Sequence, residues 1–165
     1  MVSVGRGSLE ACVHLNPVAG AFPVPALIEM SDPVQAPTSY SNLATGDVDQ
    51  DGDLDLVVGW SANFAFQYGI SLRRNDGQGR FGPREVYAIP ALPIAIRLGD
   101  LNGDGSLDLA WLDDASTPRL RWKQNQGNGT FGSTSTYATG FCGNEGDLHL
   151  ADVNGDGRLA ALVVE

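Results

Sequence analysis

The stretch Asp47-Val48-Asp49-Gln50-Asp51-Gly52-Asp53-Leu54-Asp55 recurs twice in related form along this chain of 165 residues. It returns as Asp100-Leu101-Asn102-Gly103-Asp104-Gly105-Ser106-Leu107-Asp108 and as Asp152-Val153-Asn154-Gly155-Asp156-Gly157-Arg158-Leu159-Ala160. The three copies begin 53 and then 52 residues apart. Self-similarity at a fixed period of this length is the signature of a repeat architecture, in which each repeat is one supersecondary unit.

A second motif lies between the acidic stretches. Asn75-Asp76-Gly77-Gln78-Gly79-Arg80-Phe81-Gly82 returns 50 residues later as Asn125-Gln126-Gly127-Asn128-Gly129-Thr130-Phe131-Gly132. A worn copy from Asn16 to Phe22 keeps only the asparagine, the later glycine and the phenylalanine. Three copies of each motif therefore alternate along the chain, and we call them the acidic loop and the Asn-Gly motif.

The segments between the motifs predict an all-β fold. A short apolar stretch precedes each acidic loop, and a nearly continuous apolar run, such as 54–59 or 107–112, follows it. An unbroken apolar run bounded by Gly and Asp fits a strand that is buried on both faces. The next segment, predicted to be the third strand, alternates between apolar and polar residues. The last segment is polar and rich in Thr at 133–137, which suits a fourth strand at the outer edge of the sheet. Each repeat is therefore predicted to form four short antiparallel strands.

Units of this kind predict blades of a β-propeller. Inner strands with two apolar faces must be sandwiched between copies of themselves, and radial stacking achieves this. The small residues before the acidic loops, Gly46, Gly99 and Ala151, suit crowding near a central axis. The predicted units, about three blades in all, are a half-blade at 2–27, a blade at 40–89, a blade at 95–139 and a half-blade at 147–165.

The paired motifs resemble the FG-GAP/VCBS repeats of integrin α-type β-propellers. The resemblance runs from about Asn16 to Glu165, and it is specific because two motifs recur together at one period. It implies calcium in the acidic loops and an extracellular or cell-surface setting, with a role in adhesion or in recognition of a glycan or protein. The family also includes repeats appended to enzymes, so the fold alone does not define the function.

The acidic loops carry the oxygen ligands that Ca²⁺ prefers. The ion takes six to eight oxygens, and a loop can supply them from alternate side chains, one backbone carbonyl and a closing carboxylate. In the first loop we expect the side chains of Asp47, Asp49, Asp51 and Asp55, with the carbonyl of Asp53. In the second loop we expect Asp100, Asn102, Asp104 and Asp108, with the carbonyl of Ser106.

The third loop departs from this pattern. Asp152, Asn154 and Asp156 are present, but Ala160 stands where the closing carboxylate is needed, so we expect weak binding or none. An acidic turn without metal is the alternative, because Asp, Asn and Gly favour turns. Five aspartates between positions 47 and 55 would however repel one another without a cation.

An EF-hand begins in the same way and has to be distinguished. It needs an acid at the twelfth position and a helix after the loop. Here that position holds Val58, Trp111 or Val163, and apolar strand residues surround it. The sequence therefore does not fit an EF-hand.

The predicted calcium is expected to have a structural role, tying the first strand of each blade to the second. Without a nucleophile arranged beside a base, the chain is not expected to be an enzyme.

An aromatic segment is the candidate ligand-binding surface. It links the second and third strands of one unit, on the blade face opposite the acidic loops. Stacked rings there could hold a sugar, although aromatic residues on loops also serve packing or subunit contacts. The candidate residues are Trp60, Phe64, Phe66 and Tyr68.

The composition excludes some partners. There are 20 acidic and 10 basic residues, for a net charge of −10, which argues against binding nucleic acid or an anionic membrane surface. No apolar run is long enough to cross a bilayer. No secretion signal is visible at the N-terminus. Two cysteines, Cys12 and Cys142, leave the pairing and the redox compartment open.

The number of blades leaves two architectures open, because propellers have about four to eight blades. The chain is either part of a longer propeller or one half of a homodimeric ring, in which two chains join their half-blades.

Two functions are also open. One is a calcium-binding extracellular module for adhesion or for glycan or protein recognition. The other is a non-catalytic scaffold segment of a larger secreted enzyme, such as one that degrades polysaccharides.

Overall fold

The computed structural model describes residues 2–4, 10–13, 26–29, 37, 39–62, 67–115, 119–139 and 146–164. All regular secondary structure in these residues is β-strand. Among them there is no helix with the length and apolar character needed to cross a membrane. The strands are β1 (Val2–Val4), β2 (Glu10–Val13), β3 (Ala26–Glu29), β4 (Ser39–Gly46), β5 (Asp55–Ala62), β6 (Gln67–Arg73), β7 (Glu85–Ile89), β8 (Pro93–Gly99), β9 (Asp108–Asp113), β10 (Arg119–Asn125), β11 (Phe131–Ala138), β12 (Asp147–Ala151) and β13 (Ala160–Val164).

Two complete blades form the centre of the molecule. Strands β4-β5-β6-β7 make one four-stranded sheet and β8-β9-β10-β11 make the other, each with neighbouring strands antiparallel and in chain order. We refer to them as the first and second blades. This confirms the predicted all-β architecture of four-stranded antiparallel units.

The outer segments form smaller sheets. Strands β12 and β13 pair antiparallel, Asp147 opposite Val164, and make a two-stranded sheet. Strands β1, β2 and β3 make a three-stranded sheet. Two strands were expected within 2–27, whereas the structure has three between Val2 and Glu29. The additional strand, β1, is three residues long and matches no copy of the repeat.

The second strand of each complete blade is its most deeply buried element. Every residue of β9 is buried, and in β5 the first six residues are. The core between the two blades combines Val57, Ile70 and Leu72 of the first blade with Leu109 and Trp111 of the second. The apolar runs that follow the first two acidic loops are therefore buried between packed sheets, as predicted. The third run, in β13, was expected to be buried in the same way, but its residues are half-buried or exposed.

The first strands of successive sheets, β4, β8 and β12, lie side by side. A Cβ added to Gly46 would lie 2.7 Å from Leu107 Cδ1 and 3.0 Å from Leu98 Cδ1. One repeat later, Gly99 meets Leu150 and Leu159 at 2.8 Å in the same way. Small residues therefore precede these two acidic loops because leucines of the following sheet press against the backbone there.

Candidate metal centre

Each acidic loop connects the first strand of a sheet to the second. The loops follow β4, β8 and β12, so the side-by-side packing of these strands brings successive loops together. Gln50 Nε2 in the first loop donates to Ser106 Oγ in the second at 3.1 Å. The loops therefore form a row at one end of the blades.

Three carboxylates of the first loop converge. One oxygen from each of Asp47, Asp49 and Asp55 lies within 4.8 Å of the others. Among the described residues this is the one group of three or more His, Cys, Asp or Glu side chains that meets at this spacing. Oxygens this close can share one hard cation, which would also relieve their mutual repulsion.

Asp47 shapes the loop as well as joining the cluster. Its Oδ1 accepts the N–H of Asp51 at 3.1 Å, and its Oδ2 accepts the N–H of Gly52 at 3.0 Å. The glycine has φ of 96°, the left-handed conformation in which a side chain would be strained. The predicted sharp turn at the sixth loop position is therefore present, and each Asp47 oxygen keeps a further lone pair.

Asp49 contributes a carboxylate oxygen that is well suited to bind a cation. Its Oδ2 lies 3.3 Å from Arg74 Nε. Its Oδ1 is buried and has no hydrogen-bond partner among the described residues. Burial of an unpartnered carboxylate oxygen is costly, and a bound Ca²⁺ would satisfy it.

Asp55 joins the acidic loop to the Asn-Gly motif. It is fully buried in β5, where its Oδ2 accepts the N–H of Val48 at 3.0 Å and its Oδ1 accepts the N–H of Asn75 at 2.9 Å. Burial raises its pKa above the ordinary value, two backbone bonds oppose this, and the charges of Asp49 and Asp51 add to the rise. The closing carboxylate thus has a structural role in addition to its expected role as a ligand.

The raised pKa of Asp55 has a defined consequence for stability. A carboxyl whose folded pKa exceeds its unfolded value favours folding at pH below the unfolded value. That contribution is lost as pH rises through the folded pKa. At neutral pH the charged Asp55 therefore opposes folding unless positive charge is nearby, which is the condition that a divalent cation would meet.

The remaining first-loop candidates lie outside the three-carboxylate group. Asp51 Oδ1 accepts the N–H of Asp53 at 2.9 Å, and Asp51 is exposed. The Asp53 side chain lies against Gly77, where an added Cβ would come within 2.4 Å of its Oδ2. The structure therefore brings together three of the four predicted side-chain ligands of this loop.

The second loop repeats the turn with fewer converging charges. Asp100 accepts the N–H groups of Gly103, Asp104 and Gly105 at 2.7 to 3.1 Å. Asn102 Nδ2 donates to Asp104 Oδ2 at 2.8 Å, and the N–H of Ser106 donates to Asp104 Oδ1 at 2.9 Å. Both bonds lower the pKa of Asp104, and the bond from the Ser106 backbone is the larger cause.

Asp108 repeats the bonding of Asp55. It is fully buried and accepts the N–H of Leu101 at 3.1 Å and that of Asn125 at 2.8 Å. Its pKa is raised, mainly by burial and further by the charges of Asp104 and Asp100. The same carboxylate therefore connects both motifs in both complete blades.

The third loop has the turn but not the closing carboxylate. Asp152 accepts the N–H groups of Gly155 and Gly157 at 2.7 and 2.8 Å, and the backbone bond from Gly157 is the largest cause of its lowered pKa. Asn154 Nδ2 donates to Asp156 Oδ2 at 3.0 Å. Ala160, at the start of β13, supplies no oxygen where Asp55 and Asp108 stand.

Two neighbours of the loops were not anticipated. Arg74 links Asp49 to the second blade, since its Nη2 donates to the carbonyl of Gly129 at 3.2 Å. Asn125 donates to the carbonyl of Val48 in the first blade at 2.7 Å. The asparagine had a sequence signal, because it opens every copy of the Asn-Gly motif. The arginine had none, because Gln124 stands at its position one repeat later.

The aromatic candidates are placed differently from the expectation. Trp60 lies within β5 at 2% exposure, and the Arg84 guanidinium sits 4.7 Å from the centre of its ring. Tyr68 is half-buried and packs against the core between the blades. Phe64 and Phe66 lie outside the described residues. Of the two readings left open for these aromatic residues, the burial of Trp60 favours packing over contact with a ligand.

Repeated four-stranded antiparallel blades, each with an acidic loop between its first two strands, define a β-propeller-type repeat protein. A family model described as FG-GAP-like repeat matches residues 47–111 and 100–163. The chain belongs to this family, which confirms the resemblance seen in the motifs. No curated protein and no solved structure matches the chain.

Proposed function

We propose that the chain is a calcium-binding β-propeller module, with Ca²⁺ held most tightly by the first acidic loop. The observation that carries the proposal is the meeting of Asp47, Asp49 and Asp55 within 4.8 Å, together with the unpartnered buried Oδ1 of Asp49. Family membership supports it, since the resemblance implies calcium in these loops. The second loop is proposed as a weaker site and the third as the weakest.

The proposed role of the ion is structural. Asp47 and Asp55 each hold two backbone N–H groups, so a cation on their free lone pairs would fasten the loop, β5 and the Asn-Gly motif together. Binding energy of this kind becomes folding energy, because the unfolded chain has no preformed site. At a free concentration of about 100 times Kd, one such ion adds roughly 2.7 kcal/mol of stability.

A pair of isosteric variants tests the metal site. We expect Asp49→Asn to weaken calcium binding at least about tenfold in titration calorimetry, because it removes one of the converging charges. Asp53→Asn makes the same charge change in the same loop, at a side chain outside the three-carboxylate group, and should alter Kd by no more than about threefold.

Thermal unfolding provides the second readout. The midpoint of the wild-type chain should rise on adding millimolar calcium and fall back with a chelator, whereas that of Asp49→Asn should respond much less. Because Asp49→Asn also loses the Arg74 pair, the variants are compared by the calcium-induced change rather than by absolute stability. Identical calcium responses for the two variants, or none in the wild type, would reject the proposal.

For the biological role we propose recognition of a glycan or protein at an extracellular or cell-surface site. The support is the family resemblance, and no single residue carries it. The burial of Trp60 and the half-burial of Tyr68 favour the second candidate, a non-catalytic scaffold segment of a larger secreted enzyme. A glycan array in millimolar calcium separates the two, since saturable binding supports recognition and uniform silence supports the scaffold.

A further inference from the structure

Arg74 is the one cationic side chain that forms an ion pair with the first acidic loop in the described part of the chain. Its Nε lies 3.3 Å from Asp49 Oδ2, but the approach lacks the geometry of a hydrogen bond. The contact is therefore an attraction between charges rather than a directional bond. The other oxygen, Asp49 Oδ1, has no hydrogen-bond partner among the described residues, so it stays free for a metal ion.

Two further contacts and a close-packed glycine hold the guanidinium in place. Nη1 lies 3.2 Å from Glu85 Oε1, and Nη2 donates to the carbonyl of Gly129 in the second blade at 3.2 Å. A Cβ added to Gly129 would come within 2.9 Å of Arg74 Nη2 and 3.2 Å of Asp49 Cβ. The second blade therefore closes over the pair of Asp49 and Arg74, whose side chains are 19% and 33% exposed.

The same position in the second blade carries no charge. Gln124 matches Arg74 one repeat later, and its Nε2 donates to Asp104 Oδ2 in the second acidic loop at 3.3 Å. In both complete blades, therefore, the residue just before the Asn-Gly motif contacts a predicted metal ligand of its own acidic loop. Arginine adds a positive charge there, whereas glutamine offers only a neutral donor.

We propose that Arg74 competes with calcium at the first acidic loop, stabilising the carboxylates of the empty site and lowering its affinity for the ion. In the empty loop, the guanidinium offsets part of the repulsion between the converging carboxylates. A divalent cation on the same carboxylate would meet a like charge, and like charges repel one another. The arginine thus favours the empty state over the loaded one, and calcium affinity falls by that difference. This inference rests on the proposed calcium site.

Arg74→Gln tests the competition by installing the residue that the second blade carries. Calcium binding in titration calorimetry should tighten about tenfold, because a positive charge is removed from beside a doubly charged ion. Arg80→Gln makes the same charge change in the Asn-Gly motif, at an exposed side chain that forms no ion pair with the acidic loop among the described residues. It should alter Kd by no more than about threefold. Arg74→Lys, which keeps the charge, should also stay within about threefold of the wild type.

Stability without calcium gives a second readout, of opposite sign. In a chelator, Arg74→Gln should unfold at a lower temperature than the wild type, because the loop carboxylates lose their counter-charge. The rise of its unfolding midpoint on adding millimolar calcium should be larger than that of the wild type, since tighter binding stabilises more. An arginine that merely positions Asp49 predicts a smaller rise instead, because its removal would weaken binding and stability together.

The rate of calcium release keeps the test open if the empty Arg74→Gln variant does not fold. The calcium-loaded protein, verified as folded by circular dichroism, is mixed with a fluorescent chelator in a stopped-flow instrument. Release from Arg74→Gln should be at least about threefold slower than release from the wild type, because affinity differences between related complexes lie mainly in the dissociation rate.

The outcomes separate this inference from the proposed calcium site. Tighter binding and slower release in Arg74→Gln, with both other variants close to the wild type, support the competition. A wild type that binds calcium, together with an Arg74→Gln variant that binds it equally or more weakly, overturns the competition and leaves the calcium site standing. Equal tightening in Arg80→Gln also overturns it, because the effect would then belong to overall charge. A wild type that binds no calcium rejects the site, and this inference with it.

Discussion

At the scale of single residues, the closing aspartates of the acidic loops serve two purposes. Asp55 and Asp108 are fully buried, and each accepts backbone N–H groups from its own loop and from the following Asn-Gly motif. Burial raises the pKa of both carboxyls. A position that the repeat pattern predicts to be a metal ligand is therefore also the point where the two motifs are joined.

Gly46 is the residue at which a single methyl group should matter. We expect Gly46→Ala to lower the free energy of unfolding by about 1–3 kcal/mol, because its Cβ would meet Leu107 Cδ1 at 2.7 Å in the next sheet. Gly82→Ala is the control, since the nearest atom there is the Arg74 carbonyl oxygen at 3.6 Å. Urea denaturation of both variants measures the difference in the free energy of unfolding. Equal stabilities would show that β4 and the next sheet can move apart at Gly46 at little energetic cost.

At the scale of elements, the Asn-Gly motif of the second blade also contacts its neighbour. Asn125 is 1% exposed and donates to the carbonyls of Val48 and Leu107 at 2.7 and 3.0 Å. Its Oδ1 accepts the N–H groups of Gly127 and Gly129, both at 3.0 Å. One side chain thus shapes its own turn and holds the preceding blade.

Truncating this asparagine should be much more costly than truncating its counterpart. Asn125→Ala is expected to reduce the free energy of unfolding by about 2–4 kcal/mol, because several buried polar groups lose their partners at once. Asn75→Ala should cost less than about 1 kcal/mol, since that side chain makes one bond, to the carbonyl of Leu54 at 3.2 Å, and its Oδ1 has no hydrogen-bond partner to lose among the described residues.

Chemical denaturation monitored by circular dichroism compares the two asparagine variants. Calcium is kept at one saturating concentration throughout, so that metal binding does not enter the difference. Similar losses for both variants would mean that the bond across the blades contributes little to stability.

At the scale of the whole molecule, stability should be concentrated between the two complete blades. Val48 is fully buried in the core between them, whereas Val153, at the same loop position two repeats later, is 63% exposed. Leu54 and Leu107 occupy the same position in the first and second acidic loops. Leu54 is 60% exposed, whereas Leu107 packs against Gly46 of the first blade. Equivalent residues therefore differ in burial according to whether a sheet packs on them.

This contrast predicts unequal effects for one substitution. Val48→Ala should cost about 2 kcal/mol, because it removes buried methyl groups and leaves a cavity. Val153→Ala should change stability by no more than about 0.5 kcal/mol. The measurement is thermal or urea unfolding at a protein concentration low enough to exclude association. A large loss for Val153→Ala under these conditions would show that a further surface covers this residue.

The repeat, the strand order and the acidic turns could all be predicted from the amino-acid sequence. Each depends on residues close together in the chain, such as Asp47 with Gly52, or the unbroken apolar run of β5. Hydrophobic pattern and turn chemistry are local properties, and a period of about 52 residues shows that the local unit is repeated. The family match confirms this part of the prediction.

Contacts between distant segments were decided by the tertiary structure. The pairing of Asp49 with Arg74, the enclosure of Trp60 and the bond from Asn125 to Val48 each join residues 24 or more positions apart. From the sequence, Trp60 was assigned to a loop, because the residue types alone do not show that β5 extends to Ala62. Nor do they show that the Arg84 guanidinium covers the ring. Burial and pairing depend on how the blades pack against one another, and residues near each other in the chain do not specify that packing.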